Sequence, residues 1–225
     1  MPQTTPNLRD IGRTPTEDGG QLRTGRVLRS GLPFDDDVVE HVVWPPALVL
    51  DLRSDDEIVQ RPTLSTVPSR NLPLLSSLRP AAHHDGTLVT LYAALLESAG
   101  PLLADLVRAV ADTEGPVLIH CAAGKDRTGI SVALLMRLAG VDRATVMADY
   151  VRTNDAIDAI DARLRALPGN ERRSELPREY FHVVPEAIDA VMDVWDGHRG
   201  GTHGWLRHVG GDLNLADRLR STLLA

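Results

Sequence analysis

Ten consecutive residues, His120-Cys-Ala-Ala-Gly-Lys-Asp-Arg-Thr-Gly129, contain the only cysteine and the only lysine of the chain. The spacing of Cys121 and Arg127 says little alone. Arginine fills about a tenth of the sequence, so one falls at any given offset roughly one time in ten. The surroundings supply the weight. Pro116-Val-Leu-Ile119 reads as a short apolar strand, and Thr128 to Ala139 as a helix apolar on nearly every face, hence buried. A strand–loop–helix unit aims a ring of backbone N–H groups, and the positive end of a helix, at whatever the loop holds. A phosphate dianion is the natural occupant.

The same field acts on sulfur. A helix N-terminus and a nearby guanidinium favour a thiolate over a thiol, which makes Cys121 a candidate nucleophile. Arg127 offers a planar fork for two phosphate oxygens. Gly124 allows tight curvature where a Cβ would crowd those oxygens. The Thr128 hydroxyl could donate to the Cys121 sulfur as it leaves. Attack on a phosphoryl group would then form a cysteinyl-phosphate that water hydrolyses.

Each of these residues also has a plainer reading. Cys121 could be a buried small hydrophobe. Lys125 is either a solvated charge or a contact for a second phosphate or carboxylate on a ligand. Asp126 could orient Arg127 or cap the helix, and His120 reads better as a buried group that orders the loop than as a proton carrier. Two other functions use a similar loop: a catalytically silent phosphate-binding module and a sulfur-transfer enzyme. The joint presence of Cys121, Arg127 and Thr128 speaks against the first. The arginine spacing and the trailing Thr-Gly speak against the second.

The elements around the loop alternate early and turn helical late. Turn signals over 13–31 suggest a hairpin-like lead-in. Asp35 to Val43 reads as a short helix stopped by Pro45-Pro46, and Ala47 to Leu52 as a buried strand ending in Asp51. Ser54 can cap a short helix through Ile58 and Val59 that Pro62 ends. Val67 to Leu74 offers at most an edge strand. Leu88 to Ala111 is helical with an expected break at Gly100-Pro101, and Gly140 suits the end of the helix begun at Thr128. From Asp142 to Ala225 helices dominate, with breaks expected at Pro168-Gly169, Pro177 and the glycine-rich 197–211 stretch, within which Gly197 to Gly204 reads as a flexible turn. The architecture expected is α/β, a central sheet flanked by helices with a helix-rich C-terminal half.

Composition narrows the class. With 225 residues the chain suits a single domain over 1–225. The formal charge of −7 argues against nucleic acid as a partner, while leaving room for a basic cleft. No window approaches the roughly 20 apolar residues of a membrane span, and the first ten residues hold no apolar signal-like stretch. One cysteine cannot form an internal disulfide, which fits a cytoplasmic location. His83, His84, His198, His203 and His208 lack the carboxylate and cysteine partners of a metal site, so neither a metal nor another cofactor is expected.

The loop resembles the signature of the protein-tyrosine-phosphatase superfamily, and its Lys-Asp pair is similar to the bacterial tyrosine/lipid phosphatase branch. Further landmarks of that branch follow in order: Asn7-Leu-Arg-Asp10, Gly25-Arg-Val-Leu-Arg-Ser-Gly31, Asp51-Leu-Arg-Ser54, Asp149-Tyr150, Thr153-Asn154 and the tail from Gly204-Trp-Leu to Leu224. The resemblance implies Cys121 as nucleophile, with Ala122, Ala123, Gly124, Lys125, Asp126 and Arg127 binding phosphate. It also implies an acid that protonates the leaving oxygen, with Asp126 the first candidate and Asp51, at a strand end, the second. It implies a protein-tyrosine phosphatase, with a phosphorylated protein as substrate and phosphoserine/threonine and phosphoinositide activity as extensions. Residues 154–196 stand where some relatives carry a helical lid.

Overall fold

A computed structural model describes residues 4–60, 63–74, 87–167 and 182–225. It opens with β1 (Arg9–Asp10) and β2 (Val27–Ser30), paired antiparallel with Arg9 opposite Arg29. Between them Pro15 bridges Gln21 across the Asp18-Gly19-Gly20 turn, so the hairpin-like lead-in is present. β3 (Leu48–Asp51), α1 (Asp55–Gln60), β4 (Ser69–Asn71), α2 (Leu88–Asp112), β5 (Val117–His120) and α3 (Asp126–Leu138) follow. The remainder is helical: α4 (Arg143–Val151), a 3-10 turn at Arg152–Ala156, α5 (Ile157–Arg165), α6 (Pro185–Gly197), α7 (Gly201–His208) and α8 (Leu215–Leu223).

The five strands lie in the order β1-β2-β5-β3-β4, all parallel apart from β1. Register brings Ser30, His120, Asp51 and Asn71 into one row across β2, β5, β3 and β4. Every loop leaving that row therefore starts at the same carboxyl edge, where open α/β sheets hold their ligands. Strands β2, β3 and β5 are buried on both faces, which explains the apolar runs of β3 and β5. Val27, Leu50, Val117 and Ile119 join the helices in the main core, whereas Leu28, Val49 and Leu118 form a smaller cluster with Leu64 on the other face. α3 is buried along almost its whole length, as its apolar faces required. Gly140, at φ 90°, ends it: its N–H bonds Arg137 O while the Val141 N–H reaches Met136 O.

Three expectations fail for identifiable reasons. Residues 35–43 form no helix. The Asp37 carboxylate takes both guanidinium nitrogens of Arg163 (2.8 and 2.7 Å), the Thr5 hydroxyl and the Phe34 N–H, while His41 adopts φ 64° and Val43 stays exposed. A buried ion pair with α5 thus holds this segment as a turn. α2 is not broken at Gly100-Pro101 but runs straight through it. Its buried residues continue on one side from Leu91 to Val110, packed along α6 and α8, and that packing outweighs the lost hydrogen bond. Gly100 contributes by having no Cβ to clash with the proline ring; a Cβ there would also lie 2.7 Å from Val209 Cγ1. The 197–211 stretch does break the helices, but the flexible turn expected over Gly197 to Gly204 is cut short because α7 starts at Gly201. Trp205, 5.7 Å from Trp195 between ring centres, anchors it, and a Cβ on Gly204 would meet Arg199 O at 2.0 Å. By length and mean hydropathy α2 is also a candidate membrane span, which the sequence reading overlooked, yet its apolar face is core. Pro168-Gly169, Pro177, His83, His84 and, within the 154–196 segment, residues 168–181 lie outside the described residues.

Candidate active site

The loop from Cys121 to Lys125 leaves β5 at the row of strand ends and turns directly into α3. Its carbonyls are claimed from behind. Ala122 O accepts from the Leu32 N–H (3.1 Å), and Gly124 O accepts from Asn7 Nδ2 (2.8 Å) and from the Arg29 guanidinium (2.9 Å). Carbonyls held from behind favour N–H groups on the opposite side of the loop, the polarity an anion requires. The Gly124 N–H already points at Cys121 Sγ, 3.2 Å away. Gly124 has φ 67°, and a Cβ there would lie 2.3 Å from Ser30 O, so both conformation and space demand glycine.

Arg127, on the first turn of α3, is 8% exposed. Its guanidinium meets the Glu57 carboxylate in a two-pronged pair at 2.7 and 2.9 Å and also donates to Leu52 O at 3.2 Å. Burial alone would raise the Glu57 carboxyl. The hydrogen bonds and charge of Arg127, with the Ser54 donors, outweigh it and hold Glu57 below its ordinary value. Burial likewise opposes the charge on Arg127, but Glu57, Cys121 and Asp126 raise its pKa further. Ser54-x-x-Glu57 is a capping box, a sequence signal that marks the helix start but not the pairing of Glu57 with Arg127. The Glu57 carboxylate accepts from the Ser54 N–H (2.9 Å), and Ser54 Oγ accepts from the Glu57 N–H (3.4 Å).

Asp126 keeps a quarter of its side chain exposed. Its Oδ1 accepts from Lys125 Nζ (2.8 Å) and from the Tyr92 hydroxyl (2.6 Å). Lys125 is 2% exposed, and its ammonium also donates to His182 O at 3.0 Å, so it is not the solvated charge that its plainer reading suggested. Asp51 is equally buried, and its carboxylate lies wholly on Arg53, at 2.7 to 3.2 Å. Burial would raise it, but the Arg53 bonds and the neighbouring His120 leave it below the ordinary aspartate value. The structural tie to Arg53 is what this geometry holds. His120 is fully buried, and burial pushes it down to about 4 against the pull of Asp51; its Nε2 lies 2.9 Å from Thr63 Oγ1. The Thr128 hydroxyl is buried without a partner, and among the described residues the expected bond to the Cys121 sulfur is not made.

A second layer braces the loop. Asp149 on α4 accepts from Arg9 (2.8 Å) and from Arg29, and Asn7 Nδ2 reaches Thr153 Oγ1 at 3.3 Å. Burial opposes ionisation of Asp149, but Arg29 and Arg9 together lower its pKa. The scattered landmarks Asn7, Arg9, Arg29, Asp149 and Thr153 thus meet behind Gly124. Tyr150 packs on Gly129, where a Cβ would come within 2.9 Å of its ring.

A model of the "Tyrosine phosphatase family" matches residues 2–225. The chain is 35% identical over 121 residues to the triple specificity protein phosphatase PtpB of Mycobacterium tuberculosis, an alignment covering 48% of this chain and 44% of PtpB. It is 33% identical over 109 residues to a tyrosine-protein phosphatase of Nostoc commune, covering 46% of this chain and 37% of that one. A Cupriavidus necator protein, provisionally named a tyrosine-protein phosphatase, is 28% identical over 223 residues, 91% of this chain and 81% of its own. The matched part thus spans less than half the length of the first two relatives. With the family model covering all but its first residue, the chain belongs to the tyrosine phosphatase family.

Proposed function

We propose that the protein hydrolyses phosphate monoesters without a metal, phosphotyrosine in proteins first among them, through a cysteinyl-phosphate on Cys121. The observation that carries this reading is the Glu57-braced Arg127 fork beside a loop whose carbonyls are tied outward. The N–H groups of Ala122 to Arg127 bind the phosphoryl oxygens. Cys121 Sγ attacks phosphorus, the bond to the leaving oxygen breaks, and Asp126 gives that oxygen its proton. Water then attacks phosphorus and passes a proton to the Asp126 carboxylate, and sulfur departs as thiolate, assisted by the unpartnered Thr128 hydroxyl.

PtpB is named for triple specificity, and the loop reads the phosphoryl group more than what carries it. Phosphoserine and phosphothreonine therefore fall within reach at lower rates, since their alkoxides need the proton more. Phosphoinositide hydrolysis, which the resemblance suggests, would call on Lys125. Its ammonium gives donors to Asp126 and His182 O and the side chain is buried, so a second phosphate would have to reach a covered group; we rank this activity below aryl phosphates.

Cys121→Ser tests the mechanism. A neutral hydroxyl is not activated by this field, but the N–H ring survives, so turnover on phosphotyrosine should vanish while oxyanion binding persists. Chelators should leave the wild-type rate unchanged. Retention of even about a tenth of the rate by the serine variant would end the mechanism.

A further inference from the structure

Tyr92 belongs to the middle of the core by its burial, at 1% exposure, and to the catalytic loop by its hydroxyl. That hydroxyl lies 2.6 Å from Asp126 Oδ1 and 2.8 Å from the Tyr150 hydroxyl. A phenol has one proton to give. The Tyr92 proton goes to Asp126 Oδ1, a carboxyl oxygen that accepts whether or not the other oxygen carries a proton, and Tyr150 donates to Tyr92. The bonds thus run one way, from Tyr150 through Tyr92 to Asp126, each polarising the next. Burial, then Asp126 and Tyr150, push the Tyr92 phenol well above its ordinary value, so it stays a donor.

Asp126 Oδ1 receives a second donor, Lys125 Nζ at 2.8 Å. Both lone pairs of that oxygen are then occupied, and the carboxyl cannot turn over without breaking two bonds. We propose that Tyr92 is a positioning residue for the general acid: with Lys125 it fills Oδ1, so the transferable proton is confined to Oδ2. The inference rests on the reading of Asp126 as the acid. It differs from a merely satisfied core hydroxyl in what it predicts, because a packing role would touch all substrates alike.

The test compares phosphotyrosine, whose leaving oxygen needs a proton, with p-nitrophenyl phosphate, whose leaving group needs it less. The kcat ratio between them is measured for wild type, Tyr92→Phe, Asp126→Asn and the double variant. Tyr92→Phe should lower the phosphotyrosine-to-nitrophenyl ratio roughly tenfold, a fraction of the full general-acid effect, with little change in KM. Asp126→Asn should lower it further, and the double variant should match Asp126→Asn alone, because a misplaced acid and a missing acid are the same defect. If Tyr92→Phe slows both substrates equally, or its effect multiplies that of Asp126→Asn, Tyr92 supports the fold and not the acid. If Asp126→Asn itself leaves the ratio unchanged, the acid is elsewhere and the proposal falls with that reading.

Discussion

A guanidinium can follow a phosphoryl group into its flattened transition state only if something else fixes the plane of its fork. In this chain that fixture is Glu57, which holds both terminal nitrogens of Arg127 from a capped helix start. Two substitutions separate charge from geometry. Arg127→Lys keeps the charge but presents a point donor, so it should be nearly as damaging as Arg127→Ala, with kcat falling more than KM rises. Glu57→Gln keeps the shape and loses half of a charged pair. A fork free to swing by about 1 Å should cost roughly a hundredfold in kcat. Steady-state kinetics on an aryl phosphate check both; a Glu57→Gln variant within twofold of wild type would show that Arg127 needs no such brace.

At the scale of elements, the row Ser30, His120, Asp51 and Asn71 fixes where every loop of the site begins. The row carries a pH signature. His120 drops from its ordinary 6.5 to about 4 because burial disfavours its charged form. Its folded value lies below its unfolded one, so its contribution is whole above about pH 6.5 and is lost as pH falls toward 4. A shift of that size corresponds to at most about 3 kcal/mol. Urea midpoints should therefore fall between pH 6.5 and 4, and His120→Asn should flatten that fall. An equally steep fall in the variant would place the titrating group elsewhere. Much of this layer was legible in sequence. Two apolar strands, the buried helix α3 and the Gly140 stop follow from local pattern. The turn at 35–43 and the unbroken α2 did not, since Asp37 answers to Arg163 some 126 positions away and Pro101 is tolerated only through packing on α6 and α8.

Over the whole molecule, the site is assembled from segments that share no sequence neighbourhood. Asn7 and Arg29 tie the back of Gly124, Glu57 steadies Arg127, and Tyr92 with Lys125 holds Asp126. The proposed nucleophile, the fork and the tight glycine turn all come from ten adjacent residues, because the chemistry proposed for them depends on that spacing. Glu57, Tyr92 and Tyr150 could not be placed on the site, because only the fold brings α1, α2 and α4 to the loop. The central claim is the proposed covalent step on Cys121. The direct measurement is rapid quenching of the protein during turnover of an aryl phosphate, followed by mass spectrometry of the peptide that carries residue 121. The account requires one phosphoryl group on Cys121 that forms and decays at rates consistent with kcat, and that builds up when phosphate-ester excess is high. Turnover with an unmodified Cys121, or with the phosphoryl group on another residue, would contradict it.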